Sequence, residues 1–326
     1  MNSFGSFFRV SIFGESHGPN VGITVDGCPP GIPLTEADFE ADLGRRQGGN
    51  VRGATPRKEA DTPRLVSGVF DGHTTGAPLT ILFENSNTIS SDYSRFLDVP
   101  RPGHADFTAR KKFRGFADYR GGGHFSGRIT VALVAAGVIA KKIIAPMQVE
   151  ASILEIAGTQ DWTEVLEQAI REGDSLGGIV ECVVHQVPAG LGEPFFNSVE
   201  SVLSHMVFSI PAIKGIEFGA GFDAAYMRGS EHNDCYVSAN GKTRTNHAGG
   251  IIGGITNGNP LVFRVAVKPT SSIGRPQKTF DFGARKQTIL EVPGRHDACI
   301  TLRMPPVIEA ATALVLADLL MLSTVR

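Results

Sequence analysis

The chain has 326 residues, 41% of them hydrophobic and 20% charged, with 31 lysines and arginines against 33 carboxylates and a net charge of −2. That length can bury a sizeable core, and the near-neutral balance excludes the broad basic field by which nucleic-acid binders hold a polymer. Four scattered cysteines (Cys28, Cys182, Cys235, Cys299) form no CxxC pair, which argues against zinc and against a disulfide scaffold and suits a reducing, cytoplasmic setting.

Residues 7–13 and 21–26 predict two short strands joined by Gly14-Glu15-Ser16-His17-Gly18, a histidine among an acid, a hydroxyl and two glycines. Beyond the turn at Cys28-Pro29-Pro30-Gly31, the run Thr35-Glu36-Ala37-Asp38 predicts a capped helix start. That helix would end at Arg45-Arg46, where cations meet the negative end of the helix dipole. Strands are expected at 64–70 and 78–84. Cations bunch through this part of the chain (Arg45, Arg46, Arg52, Arg57, Lys58, Arg64) and again at Arg101, Arg110, Lys111, Lys112 and Arg114. Such clusters in a neutral protein fit a small phosphorylated or carboxylated ligand, or else a solvated surface.

Gly121-Gly122-Gly123 precedes a helix predicted over 128–145 and closed by Pro146, whose small aliphatic residues all round imply burial on most sides. The triplet offers free backbone N–H groups and a positive dipole end to an anion, or simply turns the chain. Further strands are expected at 148–156, 178–187, 214–219 and 261–268, and helices at 161–172, 198–208 and 306–322, the last beginning after Pro305-Pro306. The polar, Gly/Asn-rich stretch 228–259 reads as an ordered loop lining something. Neither apolar helix reads as a membrane span, because Lys141-Lys142 interrupt 129–145 while Glu309 and Asp318 interrupt 307–322. With no linker, repeat or low-complexity tract, residues 1–326 read as a single α+β domain.

Three histidines stand beside arginine, acid or glycine: His17, His104 in Arg101-Pro102-Gly103-His104-Ala105-Asp106, and His296 in Gly294-Arg295-His296-Asp297. Histidine is the default proton donor or acceptor near neutrality. A metal is disfavoured, since no HxH or HxxxH spacing occurs and the cationic neighbours would repel one. Lys268-Pro269-Thr270-Ser271-Ser272 supplies a cation and three hydroxyls after a strand, suited to a phosphate or a polar ring edge, or to a plain strand-ending turn. No GxxxxGK[ST] loop or GxGxxG fingerprint is present, which weakens nucleotide-kinase and dinucleotide-binding readings.

Taken with Asp118-Tyr119-Arg120-Gly121-Gly122-Gly123 and Asn246-His247-Ala248-Gly249-Gly250, these segments resemble, in order and rough spacing, the signature set of the chorismate synthases, from residue 5 to 322. The resemblance implies a single-domain β-α-β sandwich, with long central helices covered by antiparallel sheets, assembled as a homotetramer. It implies a carbon–oxygen lyase of the shikimate pathway, removing phosphate from 5-enolpyruvylshikimate 3-phosphate by 1,4-anti elimination with reduced FMN (FMNH2) and no net redox change. By that resemblance His17 protonates the departing phosphate, His104 manages charge on the N1 side of the flavin, and Asp297 assists proton removal at its N5. Ser16, Arg46, Arg52, Arg101, Ser126, Arg128 and Arg295 would meet the substrate. FMN would lie against His124, Phe125, Ser126, Ala212, Gly253, Lys268, Pro269, Thr270, Ser271 and Ser272, sharing Arg295 with the substrate.

Three departures from the family pattern stand out. His124 replaces an arginine common after the glycine triplet, Pro211-Ala212 stands where some members have Asn-Ala, and the stretch from about 147 to 165 is shorter than in longer members. Two other readings compete. An FMN-dependent reductase could seat NADPH near Arg46 and Arg52, but without a dinucleotide fingerprint the expectation is an external flavin reductase. A Gly-rich anion- or RNA-binding module is opposed by the net charge and by the sparse aromatics among the cations.

Overall fold

The computed structural model describes residues 2–47, 51–55, 59–87, 90–292 and 296–324. The chain opens with strands β1 (Ser3–Phe4), β2 (Arg9–Gly14) and β3 (Asn20–Asp26), then helix α1 (Glu40–Arg46). Strand β4 (Arg64–Ser67), the small hairpin β5 (Val69–Phe70) and β6 (His73–Thr74), and β7 (Leu79–Glu84) precede helices α2 (Asp106–Lys112) and α3 (Thr130–Ile144). Then follow β8 (Gln148–Ile156), α4 (Thr163–Glu172), β9 (Gly178–His185), α5 (Val199–Ser209), β10 (Ile213–Phe218) and the short α6 (Gly229–His232). The hairpin β11 (Ile251–Ile252) and β12 (Ile255–Thr256), strand β13 (Leu261–Val267), the hairpin β14 (Gln277–Asp281) and β15 (Lys286–Leu290), and helix α7 (Pro305–Thr324) complete the described chain.

Two antiparallel sheets, ordered β1-β2-β3-β7-β4 and β10-β13-β9-β8, enclose the helices. Strand alternation sets the inner faces: Leu79, Ile81 and Phe83 of β7 and Leu261, Phe263, Val265 and Val267 of β13 are buried. Helix α3 packs on β3 and β7, α7 packs on β8 and β9, and the two helices pack on each other. This is the expected α+β sandwich with long central helices. Helix α3 is buried on every side from Thr130 to Ala140 because it has a sheet on one face and α7 on the other. The crossing is tight at Gly137, where a Cβ would stand 2.3 Å from that of Ala310.

Helix α7 is apolar and long enough to cross a bilayer by length and composition alone, yet most of it is buried within the protein. The acids that interrupt it are bonded internally. Asp318 accepts the backbone N–H groups of Ser6, Phe7 and Phe8 at 2.7–3.0 Å. Glu309 accepts from Arg45, from Lys141 and from the Ala151 N–H.

Most expected elements appear within a residue or two of their predicted bounds. Asp38 accepts from the Thr35 N–H at 2.7 Å, as the capping pattern requires. Three expectations are corrected. The strand at 64–70 is broken into β4 and β5, with a register shift at Leu65–Ser67 and Gly68 in the left-handed region (φ 82°). The loop 228–259 carries α6 and the β11–β12 hairpin. Of the glycine triplet's amides, that of Gly122 is already used, donating to Tyr119 O at 3.2 Å, and at the mouth of α3 Ser126 takes the N–H groups of Arg128 and Ile129 at 3.3 and 3.1 Å. Helix α2 and the β14–β15 hairpin were not predicted.

Candidate active site

A cavity of about 1080 Å³ opens between the first sheet, the start of α3, the α5–β10 turn and the segment leading into α7. Among the described residues, seven arginines and lysines but only three carboxylates line it, so the wall is set for an anion.

The glycine triplet forms one edge. Gly121, Gly122 and Gly123 all have positive φ, 60°, 82° and 55°. A Cβ on Gly121 would stand 2.4 Å from His17 Cδ2 and 2.8 Å from Ser16 Oγ, and one on Gly122 would stand 3.3 Å from His104 Nε2. The two histidines therefore bracket a bare strip of backbone, which is why glycine is required there. His17 and Ser16 are buried behind this strip rather than on the cavity lining, with His17 edge-on to Tyr93 at 5.0 Å. The Glu15–Gly18 turn is closed by Gly18 N–H to Glu15 O at 3.0 Å, and Ser16 N–H donates to Gly123 O at 3.0 Å. His124 adds a third clamp, its Nδ1 donating to Gly14 O at 2.8 Å. The histidine that replaces the family arginine thus holds the His17 loop while lining the cavity.

His104 lies in the cavity wall with its Nδ1 2.6 Å from Asp106 Oδ1. Arg101 grips the same carboxylate through Nε and Nη2, both at 2.8 Å, and donates Nη1–H to Ser272 Oγ at 3.0 Å. Burial alone would raise the Asp106 carboxyl, but hydrogen bonds from Arg101 and His104 hold it well below the usual carboxylate range. An ionised Asp106 fixes the proton of His104 on Nδ1 and leaves Nε2 over the Gly122 backbone. The 3.1 Å approach of Arg101 Nη2 to Nδ1 is then proximity and not a second hydrogen bond, since one nitrogen cannot both donate to Asp106 and accept.

The deepest charge sits around Asp61, buried and held at φ 49°. Arg46 Nη2 donates to its Oδ2 at 2.6 Å, and Arg128 Nη1 pairs with its Oδ1. Arg128 also donates from Nε to Asn85 Oδ1 at 2.9 Å and from Nη2 to Glu84 O at 3.2 Å. Burial would raise the Asp61 carboxyl, but the two guanidinium groups lower it overall. Burial also pulls Arg46 down to about 10 against the opposing pull of Asp61, and Arg303 and Arg128 add to the drop. Arg46 stays a cation at neutral pH, and its Nε is buried without a hydrogen-bond partner. One carboxylate under two buried arginines leaves positive charge for a ligand to meet.

At the opposite wall Lys268 Nζ and Ser271 Oγ both donate to Gly103 O, at 2.6 and 2.8 Å. Burial, with Lys214 nearby, lowers the Lys268 ammonium from its ordinary range. Pro269, Thr270, Ser271 and Ser272 line the cavity, and Thr270 Oγ1 is buried without a partner. Ala212, at φ 76°, takes the Lys268 N–H on its carbonyl at 2.9 Å. Phe125, Leu133, Met304 and Val307 supply an apolar wall. This donor set and volume fit a flavin mononucleotide beside a small anionic substrate: a planar ring on apolar side chains, a phosphate on a lysine and hydroxyls.

Asp297 lines the cavity, accepting from Thr55 N–H at 2.9 Å and pairing with Arg303 Nη1 at 3.2 Å. His296 also lines it. Of the expected residues, His104, Asp297, Arg46, Arg101, Ser126, Arg128, His124, Phe125, Ala212 and the 268–272 run are brought to one cavity. Two are not. Arg52 is 71% exposed and locked to Glu167 through Nε and Nη2 at 2.6 and 2.7 Å, and Gly253 sits in the β11–β12 turn, off the lining. Arg295 lies outside the described residues, as do Arg57 and Lys58. Sequence reasoning missed Asp61, Asn85 and Arg303, none of which belongs to a recognisable segment. Arg303 donates Nε–H to Arg46 O at 2.9 Å and lines the cavity.

The chorismate synthase family model matches residues 8–321. A chorismate synthase of Chitinophaga pinensis is 63% identical over 99% of this chain and 97% of its own length. One from Korarchaeum cryptofilum is 45% identical over 98% of this chain and 97% of its own length. A crystal structure of chorismate synthase superposes with a TM-score of 0.74 at 26% identity, covering 98% of this chain and 93% of that one. With residues of four of the six sequence segments on the lining of one anion-ready cavity and the family match running nearly the whole length, the chain belongs to the chorismate synthase family.

Proposed function

We propose that this protein converts 5-enolpyruvylshikimate 3-phosphate to chorismate by 1,4-anti elimination of phosphate, using reduced FMN held in the same cavity. The observation that carries the reading is the placement of His17 and His104 on either side of the bare Gly121-Gly122 backbone, beside the surplus positive charge of Arg46, Arg101 and Arg128. Reduced FMN, when bound, lends electron density to the allylic system as phosphate departs and takes it back, so that no net oxidation results. The arginines keep N–H groups available for the phosphate and the carboxylates, and bidentate guanidinium geometry suits both. His17 donates a proton to the departing phosphate oxygen as the carbon–oxygen bond breaks. His104, oriented by Asp106, holds Nε2 toward the cavity, where it buffers negative charge. Asp297, which accepts from Thr55 N–H and pairs with Arg303, would assist proton removal at the flavin N5 side; its carboxylate on the cavity wall supports this. The buried walls exclude water from this exchange.

The finer reading is a monofunctional lyase in the cytoplasm, supplied with reduced flavin by an external reductase. Unpaired cysteines support the compartment. Phe195, Phe196, Phe222 and Tyr226, each more than 80% exposed, support assembly as a homotetramer that covers them. Anaerobic release of phosphate and chorismate in equal amounts with reduced FMN tests the activity. His17→Ala and His104→Ala each lower kcat on the order of 10²–10⁴-fold without unfolding the protein. Near-normal turnover in either variant would remove its assigned role. Sustained turnover with NADPH and oxidised FMN alone would overturn the monofunctional reading.

A further inference from the structure

Asn85 follows β7 and belongs to none of the recognisable segments. Its Nδ2 donates to Glu15 O at 3.0 Å and to Gly18 O at 2.8 Å, the two ends of the turn that carries Ser16 and His17. Its Oδ1 accepts from Arg128 Nε at 2.9 Å. These three bonds leave the amide one orientation: reversed, it would set an oxygen against two carbonyls and an NH2 group against a guanidinium. The turn does not need this amide to form, because Gly18 N–H already closes it and Asn85 N–H already ties Pro19 O at 3.1 Å. What the side chain adds is a strut between the turn and Arg128.

Arg128 is fixed at its other nitrogens by Asp61 and Glu84 O, so the strut has a rigid far end. We infer that Asn85 is a positioning residue that sets the separation between His17 and Arg128, and hence between the phosphate's proton source and its cationic grip. The inference rests on the functional reading above. A proton donor displaced by about 1 Å costs on the order of a hundredfold in rate, so a strut of this kind belongs to catalysis as well as to folding.

Two variants of similar size separate its two ends. Asn85→Asp keeps the acceptor for Arg128 but turns the two donated bonds into repulsion with the Glu15 and Gly18 carbonyls. Asn85→Leu removes both ends. Under anaerobic assay with reduced FMN, N85D lowers kcat about 10- to 100-fold with KM within about threefold, whereas N85L also raises KM about tenfold. Hydrogen exchange on the flavin-free protein gives a readout without turnover: the 14–18 amides exchange faster in both variants while those of β3 and β7 keep their protection. A kcat for N85D within about twofold of the parent's would overturn the inference. So would protection lost equally across β3 and β7, which would make Asn85 merely structural. A parent protein that releases no chorismate sinks the functional reading instead, and unchanged exchange at 14–18 would then dispose of the strut by itself.

Discussion

Two buried carboxylates in this protein sit under pairs of cations, and they do different work. Glu309, inside α7, accepts from Arg45 and Lys141, and Asp42 answers the same two cations at 3.4 and 2.7 Å. Acids and bases are matched, every oxygen of Glu309 is used, and α1, α3 and α7 are tied together. Asp61 has Arg46 and Arg128 to itself, with Arg303 close enough to Arg46 to depress it further. There the charge is unbalanced, a guanidinium nitrogen is left without a partner, and the cluster faces the cavity. A balanced cluster is cement; an unbalanced one is a socket.

The contrast breaks most sharply at Asp61→Asn, which leaves two buried guanidinium groups without a counter-charge. It is expected to cost about 3–5 kcal/mol in urea unfolding. Inorganic phosphate at millimolar levels recovers part of that loss by binding the freed arginines, and a protein that phosphate leaves unchanged would refute the socket. Glu309→Gln has a smaller effect, about 1–3 kcal/mol in the same measurement. Its kcat stays within about twofold of the parent's, because Asp42 still meets both cations and Glu309 itself is not on the cavity lining.

The smallest effect is read against pH. Asp61, Asp106 and Glu309 all have carboxyl groups held below their ordinary values. For a depressed acid, the stabilisation is fully present above the unfolded-state value of roughly 4 and is lost as pH falls toward the folded one. On their account, stability is flat from pH 6 to 8 and declines below about pH 4. Asp106→Asn flattens part of that acid decline, and a decline of unchanged slope would show that Asp106 is not held by Arg101 and His104 as described.

The sequence was explicit wherever one segment carried its own signal. The strands expected at 21–26, 78–84, 178–187 and 261–268 appear as β3, β7, β9 and β13, and the small aliphatic residues of 128–145 implied a helix buried on most sides. The three histidine motifs were legible because glycine and acid stand beside each histidine in sequence, with arginine as well at His104 and His296. Asp61, Asn85 and Arg303 were not, because their meaning lies in partners far along the chain: Arg128 is 67 residues from Asp61, and Arg303 is 257 from Arg46. Arg52 shows the converse. Its place in a cationic cluster suggested a ligand, while Glu167, 115 residues away, occupies its guanidinium. Helix α2 escaped notice because Arg110, Lys111 and Lys112 read as a charge cluster before they read as the cationic last turn of a helix.

Asp318 gathers the N–H groups of Ser6, Phe7 and Phe8, and Gly137 lets α3 rest against Ala310. The first contact joins the earliest part of the chain to the latest, and the second joins its middle to the same helix. A nascent chain leaving the ribosome can pair β2 with β3 early and lay α3 on that sheet, but the link at Ser6–Phe8 waits for about three hundred further residues. The length of that wait leaves the Ser6–Phe8 amides without their acceptor through most of synthesis, and a ribosome stalled before codon 305 would release a chain that never gains it.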